Sequence, residues 1–80
     1  METLYTVNAE ALRADAARVE AQAADSLPAW ILLGQSARYA EEMRKARALR
    51  NAADASSVSI RREILRNAGF IVKTARHAGR

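Results

Sequence analysis

Apolar residues recur along this chain at helical spacing for most of its length, and β-like alternation is confined to the two ends. Thr3, Tyr5 and Val7 alternate with Glu2, Leu4 and Thr6, which predicts a short strand over residues 3–7 that stops where Asn8 offers a capping side chain. From Asn8 to about Asp25, Leu12, Ala16, Val19 and Ala23 fall at steps of four, three and four. They share one stripe of a first amphipathic helix, over residues 8–25, while Glu10, Arg13, Asp15, Arg18 and Gln22 lie elsewhere.

Ser26, Leu27 and Pro28 read as a break followed by a restart, because Ser26 or Leu27 can cap and proline is tolerated in a first helical turn. A second helix is therefore expected over residues 28–54. Its stripe runs through Leu32, Ser36, Tyr39, Met43, Ala46, Leu49 or Arg50, and Ala53, with Gly34 marking a kink. Glu41 with Lys45, and Arg38 with Glu42, are spaced for i,i+4 ion pairs on its outer face.

The run Asp54 to Ser57 signals a turn, and Ser57 is placed to cap a third helix over residues 57–68 carrying Ile60, Ile64, Leu65 and Ala68. Gly69 suits a helix stop, after which Phe70, Ile71, Val72 and Thr74 favour a strand over residues 70–76. The competing pattern, Ile64, Ala68, Ile71, Ala75 and Ala78, would prolong the helix instead. With a strand there, the segment Leu4 to Val7 is its natural mate, since a lone strand leaves its backbone unsatisfied. The fold class expected is all-α in the main: one small three-helix domain over residues 1–80, with a two-stranded β-ribbon from the terminal segments.

Composition thins the core that this pattern implies. Half of the 80 residues are hydrophobic, but 19 of those 40 are alanine, which favours helix and adds little buried area. A domain of this size buries only about 60% of its unfolded surface. Low stability as a monomer, or support from a partner or a second copy, is the consequence. Cysteine is absent, which removes disulfides, thiolate catalysis and cysteine-based zinc sites. Met1 to Val7 shows neither a basic lead nor an apolar run, so no signal peptide or membrane span is expected, and the location expected is cytoplasmic.

Charge divides the chain unevenly. Residues 1–26 hold Arg13 and Arg18 against Glu2, Glu10, Asp15, Glu20 and Asp25, a net −3, and the remaining 54 hold +7. Such a split implies pairing between the chain's own elements or an acidic partner for its basic part. Residues 57–80 alone carry +5, from Arg61, Arg62, Arg66, Lys73, Arg76 and Arg80 against Glu63. These six are the candidate partner-binding cations, through nucleic-acid phosphate or acidic protein surface. A helix-turn-helix turning at Gly69 would aim Lys73, Arg76 and Arg80 at a groove, but Ile71 sits where its turn wants a small polar cap.

Catalytic inventory is poor. His77 is the single histidine, Glu41 and Glu42 point apart on a helix, and glycines at 34, 69 and 79 make no phosphate loop. No catalytic residue, cofactor or metal is expected. Trp30 with Ile31, Leu32 and Leu33 forms the most apolar patch, and four consecutive residues cannot share one helix face. The patch is either buried between the first helix and the C-terminal segment, or it supplies Trp30 as an exposed anchor for a partner.

Together these features describe a small binding protein without catalysis, one that covers a surface of a larger complex. Eleven arginines to two lysines and the many alanines have GC-rich codons. With the small size they suit a bacteriophage or mobile-element inhibitor of a host defence complex, anti-CRISPR-like in kind. A basic nucleic-acid-binding regulator using the C-terminal arginines is the first alternative. A structural subunit that forms homodimers or larger oligomers through alanine seams is the second.

Overall fold

In the computed structural model, which describes residues 3, 4 and 7–73, the elements follow in the order β1 (Thr3–Leu4), α1 (Ala9–Leu32), α2 (Ala37–Asp54), α3 (Val58–Asn67) and β2 (Ile71–Val72). This is a small, mainly helical three-helix fold with a two-stranded sheet. Two of the helices start on side-chain caps. Asn8 Oδ1 accepts from the backbone N–H of Glu10 at 2.9 Å and of Ala11 at 3.1 Å, and Glu10 adds a carboxylate to the positive end of α1. Ser57 Oγ accepts from Ile60 N–H at 3.2 Å and opens α3.

Two helices end on glycine in the same hydrogen-bonded turn. After α3, Phe70 N–H donates to Leu65 O and Gly69 N–H to Arg66 O, both at 3.0 Å, with Gly69 at φ 99°. After α1, Gln35 N–H donates to Trp30 O at 2.7 Å and Gly34 N–H to Ile31 O at 3.1 Å, with Gly34 at φ 71°. Both are Schellman motifs, in which the left-handed residue satisfies carbonyls the helix would otherwise strand.

Gly34 corrects the expected boundaries. The chain does not break at Ser26–Pro28; α1 continues through Pro28 to Leu32, so its range is not 8–25, and α2 begins at Ala37 rather than at residue 28. Inside a helix, proline removes one N–H and crowds the carbonyl four residues back, at Ala24. Ala24 and Pro28 are both exposed, so water can take the freed carbonyl, and the helix survives until glycine ends it. Leu32 and Ser36 accordingly drop out of the α2 stripe.

Three contacts fix how α1 lies on α2. Trp30 meets Arg38, Glu20 meets Arg50 and Arg13 meets Asp54, so each step back along α1 is a step forward along α2. The two helices form an antiparallel hairpin. The stripe of α1 is buried as its spacing predicts, at Leu12, Ala16, Val19 and Ala23. On α2 the buried residues are Ala46, Leu49, Ala52 and Ala53, which settles position 49 against Arg50. On α3 only Leu65 is fully buried; Ile60 and Ala68 are exposed, because α3 is short and packs mainly on α2 and β2.

Leu4, Val7 and Phe70 close this core from the sheet end. The strands pair in parallel, Thr3 with Ile71 and Leu4 with Val72, and Lys73 N–H donates to Leu4 O at 2.8 Å. The expected ribbon thus exists, at two residues per strand rather than over 3–7 and 70–76; positions 5, 6 and 74–76 lie outside the described residues.

All this burial sits at one end of a molecule 51 Å long and about 24 by 20 Å across. From residue 24 to residue 45 nothing is fully buried. The upper hairpin is an arm. Pro28→Ala should restore a helical hydrogen bond in that arm and raise the unfolding free energy by about 1–3 kcal/mol. Chemical denaturation measures it, and equal or lower stability would contradict a helix continuous through this position.

Candidate functional site

The arm ends in an uncovered apolar tip. Leu32 is 87% exposed, Leu33 68% and Ile31 59%, three neighbours in sequence at the point where the Gly34 turn reverses the chain. They amount to roughly 300 Å² of apolar surface, in the range of the largest patch a small monomer usually shows. Their exposure follows from geometry: α1 outruns its core by more than two turns, and a Schellman turn places its last residues where α2 cannot reach over them.

Trp30 stands just inside the tip, half-buried on the α2 side. The Arg38 guanidinium carbon lies 5.9 Å from its ring centroid, within cation–π range, and Arg38 Nη1 donates to Gln35 Oε1 at 3.1 Å. One arginine so braces both the indole and the turn. It does so in place of the expected Arg38–Glu42 pair. Among the described residues neither α3 nor β2 covers the patch, which leaves Ile31, Leu32 and Leu33 exposed.

The charge split is partly consumed inside the fold. Arg50 forks onto Glu20, with Nε to Oε2 at 3.0 Å and Nη2 to Oε1 at 2.6 Å, and Arg13 meets Asp54 at 3.1 Å. The hydrogen bonds from Arg50 hold the Glu20 carboxyl below the usual glutamate range; slight burial opposes this and charge attraction adds to it. Asp15 with Arg18, and Glu42 with Lys45, pair at i,i+3 within their own helices.

Of the six cations expected to bind a partner, Arg61 is engaged at home. Its Nη1 donates to Val7 O at 2.9 Å and ties α3 to the N-terminal segment, while its buried Nε finds no acceptor. Arg62 and Arg66, a turn apart on α3, and Lys73 after β2 have no side-chain partner among the described residues, and the same holds for Arg44 and Arg47 on α2. Arg76 and Arg80 lie outside the described residues, as does His77. Trp30, the seventh candidate, stands near the tip of the arm, apart from Arg61, Arg62 and Arg66 on α3. Among the described residues no group of three or more acidic, histidine or cysteine side chains could hold a metal ion.

Sequence reasoning found Trp30 but missed the turn that exposes its neighbours. The signal was present in Gly34-Gln35-Ser36, a helix-stopping glycine followed by a helix-starting serine. Compared with known proteins, the chain matches no family model, no curated protein and no solved structure. Among the described residues no helix is long and apolar enough to cross a membrane.

The Glu20–Arg50 fork carries a pH signature. A carboxyl whose folded pKa is depressed contributes stability that is complete above its unfolded value, about 4.3, and is lost as pH falls through the folded value. Glu20→Gln should therefore melt below the wild type near neutral pH, with the difference closing through the acidic carboxylate range. A thermal-melt series over pH checks this, and a pH-independent difference would contradict it.

Proposed function

We propose that the protein acts without catalysis, as a binding protein that covers part of a larger complex with the tip of the α1–α2 hairpin. One observation carries the reading: Ile31, Leu32 and Leu33 stand exposed together at the end of the arm, where they add nothing to the core. Exposure of that kind works against solubility unless something covers it. Aromatic and aliphatic anchors at the centre of an interface dominate its energetics, and Trp30, braced by Arg38, directly precedes the exposed three. Within this reading, a phage or mobile-element inhibitor of a host defence complex, anti-CRISPR-like in kind, accords with the small size and GC-rich composition.

A second reading, nucleic-acid binding, draws on Arg44, Arg47, Arg62, Arg66 and Lys73, which find no partner in the fold among the described residues. Cations left free in this way are available to phosphate, and binding by them would fall steeply with salt.

One set of variants separates the two. Leu32→Gln with Leu33→Gln should leave stability within about 0.5 kcal/mol, since neither residue is buried and glutamine adds no charge to the end of α1. It should abolish retention of a large complex from bacterial host lysate, while Arg62→Ala with Arg66→Ala retains it. If the wild type captures no complex, or captures it equally well without the tip, surface occlusion by the tip is wrong. Salt-steep binding of duplex DNA that only the arginine variant loses would favour the second reading.

A further inference from the structure

We draw no further inference here: the strongest candidate, the apolar patch of Ile31, Leu32 and Leu33 at the turn of the α1–α2 hairpin, belongs to the site already described, and nothing in the structure shows what covers it.

Discussion

The seam between α1 and α2 is the constraint from which the rest follows. It is built from Ala16, Val19, Ala23, Ala46, Leu49 and Ala53, so the backbones approach closely while little large apolar surface is removed from water. Among the described residues only Leu12, Leu49 and Leu65 are large and completely enclosed. They gather where α3, Phe70 and the N-terminal segment supply a third wall. Beyond Ala23 and Ala46 that wall is missing, and the hairpin continues on half-buried Leu27, Trp30, Tyr39 and Met43 and the turn at Gly34. A protein so built has a body that folds and an arm that presents.

Electrostatics follows the same division. Near the body the acidic first helix meets its basic neighbour through the Glu20–Arg50 fork, and Arg13 reaches Asp54 in the opposite sense. These pairs set register more than stability, since their side chains remain partly exposed to water. Exposed and unpaired among the described residues are Asp25 and Glu41 on the arm and Arg44, Arg47 and Arg66 along α2 and α3.

Much of the fold was legible because its decisive interactions are local. Asn8 and Ser57 cap the helices they precede, Gly69 stops α3, and the Leu12–Ala16–Val19–Ala23 spacing gives the buried face of α1. The errors arose where two local rules competed. Pro28 carries a strong stop signal, yet its lost hydrogen bond falls on the solvent side, where it costs least; Gly34 carries a weak signal inside an apolar run, yet it alone adopts the φ of 71° that the reversal requires. Moving the boundary by those few residues transfers Ile31, Leu32 and Leu33 from the start of a packed helix to the end of a projecting one. The candidate tip was hidden by that shift. The role of Arg61 was hidden for another reason, since nothing near it in sequence announces the carbonyl of Val7.

The central claim is that stability resides at one end of the hairpin while the other end is free to engage a partner. Residue-resolved amide hydrogen exchange under native conditions tests it most directly, because local opening and global unfolding separate along a single helix. Amides near Val19 and Leu49 should exchange only through global unfolding, with protection falling steadily toward Leu32 on α1 and toward Ala37 on α2. Uniform protection along both helices up to the turn would contradict the account.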